Sequence, residues 1–384
     1  MKKIKVYHFH NGSGGGVLSV IKNLLLYKQH DEIENNIIYT INKDTCHDFT
    51  IPHVARAFSQ QVFYYSTRWN FYHTCKQLSK LFPEDAVIVA HDWLELGMMS
   101  NLGLSNKVVC FLHGDYQYYY DLAIKHMSVI DTYVCVSDSI AEKLKTKLKI
   151  ENIFYLRFPV KNVVVSHTMK RSLSIVFIGR FEQSKGFHLL PEIAEQLAKK
   201  KTFTWELFGE FSDDCKQVSW PKNIQVHNHG NIPNEKLIQL LPNYDYYILP
   251  SKFEGMPVSL IEAMKAGLIP IVNNIDGGIQ ELVIDGQTGY KIEFNNINKF
   301  ADKFEEIEND KALKFRLREN CLEIASRLFN AEKNTNEIEN QIISITTTPY
   351  KRKQSNKTYG SRLDQKWMPN FLTSAIRRLI NINK

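Results

Sequence analysis

Two series of short apolar runs, each alternating with helical patterns and parted by one break, decide what this chain can fold into. IKVYHF (4–9), AVIVAH (86–91), VVCFLH (108–113) and TYVCVS (132–137) read as strands apolar on both faces. Strands read this way in a parallel sheet covered by helices. The clearest helix between them runs from Val17 to Lys28, with Val17, Val20, Ile21, Leu24 and Leu25 on one stripe. The pattern fails around 157–172, in RFPVKNVVVSHTMKR, and then restarts. SIVFIG (174–179), TWELFG (204–209), IQVHNHG (224–230), YDYYILP (244–250) and IPIVNN (269–274) form the second series, and helices fit over 187–200, 234–242, 257–267 and 298–308. Two successive βα series predict an α/β protein of two doubly wound domains. The expected boundaries are 1–165 and 166–330, then a helix at 331–348 returning to the first domain and a tail at 349–384.

Net charge is +7, but the tail carries it: residues 349–384 hold nine Lys/Arg and one acid, Asp364, against 39 basic and 40 acidic side chains in the other 348 residues. The body is therefore neutral. Hydrophobic residues at 43% and aromatics at 12% supply sizeable cores and exclude wholesale disorder. No apolar run reaches the roughly 18–20 residues that span a bilayer. MKKIKVYHFH begins with positive charge, but its apolar part is short and broken by histidines, so it reads as a first strand and not a signal peptide. The six cysteines are scattered without a CxxC, and Cys110 and Cys135 fall in strand-like runs. A reducing cytoplasm is the expected compartment.

Three constellations carry chemistry. After the first strand comes HNGSGGGVLSV, in which Val17 breaks the dinucleotide fingerprint and no Gly-Lys-Ser/Thr is present. Two readings are open: a phosphate-facing loop before a helix N-terminus, or a plain strand-to-helix turn. The second series opens with the same layout, where Gly179, Arg180, Lys185 and Gly186 come after a strand. Ligands bind at the carboxyl ends of strands in such sheets, and an Arg fork with a Lys point charge suits a diphosphate; two solvated cations is the alternative. The third is SKFEGMPVSLIEAMKAG, with Glu254 and Glu262 eight positions apart. On a helix that spacing is roughly 12 Å of rise with a turn of about 80°. Glycosidase carboxyls sit roughly 5–5.5 Å apart, or up to about 9.5 Å. A hydrolytic pair is therefore disfavoured, and Glu254 is expected in the loop with Glu262 inside the helix after Pro257.

Together these residues resemble the GT-B glycosyltransferases, specifically the retaining family 4, over nearly the whole chain to about residue 346. The carrying motifs are Gly14-Gly15-Gly16, Gly179-Arg180 through Lys185-Gly186, Pro250-Ser251-x-x-Glu254-Gly255-x-Pro257 with Glu262-Ala263-Met264, Gly277-Gly278-x-x-Glu281, and Asp285-Gly286-x-Thr288-Gly289. The stretch YLRFPV (155–160) departs from the family, which often has Asn-Gly there. The resemblance implies that Arg180 and Lys185 bind the nucleotide diphosphate, Glu254 contacts donor-sugar hydroxyls and Glu262 holds the ribose. It also implies that Gly15 and Gly16 close over the diphosphate, with Gly179, Gly255, Met256, Pro257 and Val258 completing the donor site and His113 at the donor sugar. Beside the resemblance, two readings are open for His91 and Asp92 at the end of strand 86–91 and for Tyr116: they line the acceptor side, or they serve packing alone. No cofactor or metal is expected, since Arg and Lys stand in for one; the co-substrate is a nucleotide-diphosphate sugar, a UDP-sugar ahead of a GDP-sugar. The implied reaction is retaining transfer to a glycan or lipid-linked glycan in bacterial surface polysaccharide or lipopolysaccharide synthesis. The rivals are a GT-B sugar-nucleotide epimerase and a nucleotide-sugar-binding protein without turnover.

In the tail, Phe371, Leu372, Ala375, Ile376, Leu379 and Ile380 form one apolar helical face flanked by Arg377, Arg378 and Lys384. Two roles fit: peripheral binding to an anionic membrane surface on the inner face of the cytoplasmic membrane, or packing back on the first domain. Nucleic-acid binding is not expected, because the basic residues lack aromatic interleaving.

Overall fold

The computed structural model describes residues 3–13, 15–46, 48–165, 173–212, 215, 218–350, 353–355 and 360–382. Gly14 of the glycine loop and Lys351, Arg352, Lys357 and Lys384 of the tail lie outside them. The chain forms two compact units, Met1–Val136 with Ile140–Leu156 and Glu332–Lys384, and Ser137–Ser139 with Arg157–Ala331.

The first unit runs β1 (Ile4–His10), α1 (Gly16–Leu26), β2 (Ile33–Asn42), β3 (Ser59–Tyr65), α2 (Phe71–Leu78), β4 (Val87–Ala90), α3 (Trp93–Leu102), β5 (Lys107–Leu112), α4 (Gln117–Lys125), β6 (Thr132–Cys135), α5 (Asp138–Leu148) and β7 (Ile153–Tyr155). Its seven strands are all parallel, in the order β3-β2-β1-β4-β5-β6-β7. The central strands are buried on both faces, as their unbroken apolar sequences require.

The second unit runs β8 (Ser174–Ile178), α6 (Leu190–Ala198), β9 (Thr204–Phe208), β10 (Gln225–Gly230), α7 (Asn234–Leu240), β11 (Tyr246–Leu249), α8 (Val258–Lys265), β12 (Ile269–Asn273), α9 (Gly278–Leu282), β13 (Tyr290–Ile292), α10 (Ile297–Asn309) and α11 (Lys311–Leu328). Its six parallel strands are ordered β10-β9-β8-β11-β12-β13. Helices α12 (Ala331–Thr346) and α13 (Asn370–Ile382) end the chain.

Both sheets reverse their strand order beside their first strand, between β1 and β4 and between β8 and β11. The carboxyl ends of those strands flank a crevice, the usual ligand position in open α/β sheets. Most of the candidate residues sit just past those four strands: the glycine loop after β1, His91-Asp92 after β4, Gly179-Arg180 after β8, and Ser251 to Glu254 after β11, while His113 and Tyr116 follow β5 and Glu262 lies within α8.

Helix α8 is anchored by an unusual residue. Lys265 is 2% exposed, and its ammonium donates to the Phe329 carbonyl at 2.8 Å, to Asn162 Oδ1 at 3.0 Å and to the Val160 carbonyl. It thus ties α8 to the segments by which the chain enters and leaves the second unit. Burial pulls its pKa down to about 8, against the pull of nearby Glu262.

Candidate active site

At the second unit's switch point the loop after β8 is held by its apolar residues. Phe181 and Phe187 are fully buried and stack at 4.3 Å, with Phe211 edge-on to Phe181 at 4.8 Å. Gly186 has φ +71°, and a Cβ there would come within 2.1 Å of the Pro250 carbonyl oxygen, so only glycine lets this loop lie against the end of β11. That approach brings Lys185 to Glu254: the ammonium donates to Oε1 at 2.7 Å and to Oε2 at 2.8 Å. The Ser251 hydroxyl donates to the same Oε1 at 2.7 Å. Glu254 lies before α8, as the spacing predicts, and is buried.

The two cations differ. Lys185 is fixed, whereas the Arg180 side chain is 73% exposed and lies 3.2 Å from Glu182. Glu262 is buried within α8 and accepts from Asn234 Nδ2 at 2.9 Å. Burial pushes its carboxyl up to about 7, opposed by that hydrogen bond and by Lys265. Gly255, Met256, Pro257 and Val258 form the turn into α8; the Gly255 carbonyl accepts from the Gly278 amide, and Met256 and Val258 are buried. Gly277, at φ +97°, would drive a Cβ to 2.6 Å from the Glu254 carbonyl, which explains the glycine pair in that segment.

The first unit's switch point is of another kind. A small cavity there is lined by His10, Ser13, Gly15, Gly16, His91 and Asp92, among others. His91 Nδ1 lies 2.8 Å from His113 Nε2, the His8 and His91 rings stack at 6.2 Å, and the Gly12 amide donates to His10 Nδ1. Burial lowers His8 and His10 to about 4 and His113 to about 3, and lowers His91 as well, so all four are neutral at neutral pH. His91 Nε2 is buried with no hydrogen-bond partner among the described residues.

Glu95 sets the geometry beneath this cavity. Its Oε1 accepts from the His91 and Asp92 amides, both at 2.7 Å, and Asp92 and Glu95 form the capping box of α3. Burial raises the Glu95 carboxyl to about 8, with Asp92 adding to the rise. Asp92 Oδ1 accepts from the Tyr118 hydroxyl. Tyr116 directly precedes α4, is 40% exposed and meets Tyr119 edge-on at 5.1 Å.

Each switch point thus gathers its own candidates: Arg180, Lys185, Glu254 and Glu262 in the second unit, and His91, Asp92, His113, Tyr116, Gly15 and Gly16 in the first. Sequence reading missed Glu95, His10 and Asn234, and gave Ser251 a place in a motif but no role. Glu95 carried a signal, since Asp92-x-x-Glu95 before a helix is the capping-box pattern. Asn234 lies 28 positions from Glu262 and carried none. Among the described residues, no group of three or more His, Cys, Asp and Glu is placed to hold a metal ion.

Residues 165–326 match the family of glycosyl transferases group 1. An uncharacterized glycosyltransferase of Haemophilus influenzae is 26% identical over 82% of this chain and 92% of its own length. A UDP-Gal:alpha-D-GlcNAc-diphosphoundecaprenol alpha-1,3-galactosyltransferase of Escherichia coli is 28% identical over 46% of each chain. The galactosyltransferase and a 41.2 kDa protein from the cps region of Klebsiella pneumoniae are spanned over only about half of their own length. In structure, TarM of S. aureus, solved with Fondaparinux, alpha-GlcNAc-glycerol and UDP, superposes with a TM-score of 0.73 at 15% identity, over 89% of this chain and 100% of that one. The fold is that of the GT-B glycosyltransferases, with two Rossmann-like domains.

Proposed function

Residues 165–326 belong to the glycosyl transferases group 1, and from that premise we propose that this protein moves a sugar from a nucleotide-diphosphate sugar to a hydroxyl of a glycan or lipid-linked glycan, with retention at the anomeric carbon. The observation that carries the proposal is the Lys185–Glu254–Ser251 cluster at the carboxyl edge of the second sheet. It joins a fixed cation for phosphate to a carboxylate that accepts sugar hydroxyls, beside the N-terminal end of α8. Glu262, one helix turn further on, takes the ribose hydroxyls. A UDP-sugar is favoured over a GDP-sugar, supported by the UDP bound to TarM and the UDP-Gal of the galactosyltransferase. The diphosphoundecaprenol in that relative's name supports a lipid-linked acceptor and a place in surface polysaccharide synthesis.

In the step proposed, the bond from the anomeric carbon to the β-phosphate oxygen breaks and the acceptor oxygen bonds to that carbon on the same face. The acceptor proton passes to the departing phosphate. Lys185 and Arg180 stabilise the charge growing on that phosphate, the work a metal ion does elsewhere. The neutral imidazoles and Asp92 of the first unit bind acceptor or sugar hydroxyls, the imidazoles without bringing a competing charge, and His113 contacts the donor sugar. The test is proton NMR of the product formed from a UDP-sugar and a lipid-diphosphate sugar. The product should keep the donor's anomeric configuration; the opposite anomer would overturn retention, and release of isomerised nucleotide sugar without transfer would overturn the transferase assignment.

A further inference from the structure

Helix α13 is attached to the first unit by the wrong face for an amphipathic helix. At about 100° per residue, Asn370, Thr373 and Arg377 share one side of it. Asn370 Oδ1 accepts from the Asn70 amide at 3.0 Å, Thr373 is fully buried and its hydroxyl donates to the Leu363 carbonyl at 3.2 Å, and Arg377 donates to the Thr67 carbonyl at 3.1 Å and pairs with Asp364 at 2.6 Å. The seat is the start of α2. Asn70 Nδ2 donates to the carbonyls of Leu363, Gln365 and Met368, and Asp364 accepts from the Phe71 amide.

The opposite side of the helix is apolar and open: Phe371 is 71% exposed, Leu379 65% and Leu372 42%, with Trp367 at 73% just before it. Arg378 falls beside Phe371 on the helical wheel and is exposed, as are Arg362 and Lys366. A cluster of exposed large apolar side chains beside cations marks an interaction site. Its chemistry, large apolar side chains beside Arg378 on a helix too short to span, with further exposed cations in the segment before it, matches an anionic bilayer surface. No helix among the described residues is long and apolar enough to cross a membrane.

The seat also has a location that matters. Phe71 stacks on Trp93 at 5.8 Å, and Trp93 comes directly after Asp92, which lines the cavity after β4. Residue 70 and residue 92 both lie just beyond the carboxyl ends of strands of the same sheet. We infer that the outward face of α13 docks on an anionic lipid surface and holds the carboxyl edge of the first sheet beside it, where a lipid-linked acceptor emerges. The use for acceptor delivery rests on the transferase reading; the docking itself does not.

The test is co-sedimentation of the full chain, without nucleotide sugar, on vesicles of phosphatidylcholine alone and of phosphatidylcholine with phosphatidylglycerol. Wild type is expected to pellet with the anionic vesicles, release at high salt, and bind at least about tenfold more weakly as Phe371→Asp/Leu379→Asp. Both substituted side chains are exposed, so the variant should keep the wild-type melting midpoint. Tryptophan emission should shift to the blue with anionic vesicles, and less so in Trp367→Phe. Wild type that stays in the supernatant, a double variant that pellets equally, or a wild-type dimer that the double variant dissociates would each overturn the inference.

Discussion

The two switch points are built alike and furnished differently. Each lies where strand order reverses beside a first strand, and each is completed by a loop and a helix start. In the second unit the furnishing is charge: an exposed Arg180 and a Lys185 locked onto Glu254. In the first it is mostly buried and uncharged, four neutral histidines over a carboxyl that burial keeps largely protonated at neutral pH. A diphosphate demands cations, and a sugar or polyol demands hydrogen bonds without net charge. The same scaffold therefore reaches opposite electrostatics through the few residues at the carboxyl end of each strand.

The charged edge should break hardest. Lys185→Ala is expected to lower kcat/KM by roughly 100-fold or more, the scale of one lost transition-state contact. It also leaves the buried Glu254 carboxylate without its counter-ion. Near-wild-type turnover would remove Lys185 from its role. Next is Glu262, whose carboxyl titrates at about 7. If the ionised form holds the ribose, donor KM should fall as pH rises from about 6 to 8 in wild type and stay flat in Glu262→Gln, a difference of about tenfold at the upper end, on the scale of a charged hydrogen bond. A flat wild-type profile would sink that role.

The neutral edge should answer in stability. Glu95 has a folded pKa of about 8 against roughly 4.3 unfolded, so its stabilising contribution is full at low pH and is lost as pH rises through 8. Between about pH 5 and 8.5 the wild type should lose on the order of a few kcal/mol that Glu95→Gln does not lose, read by denaturant unfolding at each pH. Parallel pH dependence in the two proteins would contradict a buried neutral Glu95. The smallest effect is at Ser251→Ala, which removes one hydrogen bond from Glu254; a loss of roughly threefold to tenfold in kcat/KM matches about 1 kcal/mol.

Much of this was legible in the chain because parallel strands buried on both faces are unbroken apolar runs. The runs at 86–91, 108–113, 132–137 and 244–250 each contain a strand. Strand β2 escaped because IENNIIYTIN carries Asn35 and Asn36, polar residues buried only because His8, the Val6 carbonyl and Ser59 satisfy them. Strand β13 is three residues long, too short for any period to register. The second unit's candidates stood out because glycines and cations crowd the ends of β8 and β11. The histidine cluster did not, since His8, His10, His91 and His113 meet only once β1, β4 and β5 are side by side. The tail's apolar face was plain from its spacing, but its seat, formed by Asn70 some 300 positions away, was not.

The central claim is that the cationic edge of the second unit grips a nucleotide diphosphate, and thermal unfolding with nucleotides tests it most directly. At concentrations near 100-fold above Kd, UDP or a UDP-sugar should stabilise wild type by about 2.7 kcal/mol. In a domain of this size that raises Tm by several degrees, and Lys185→Ala should abolish most of the shift while GDP gives less than UDP. No shift with any nucleotide, or the same shift in wild type and Lys185→Ala, would contradict the account.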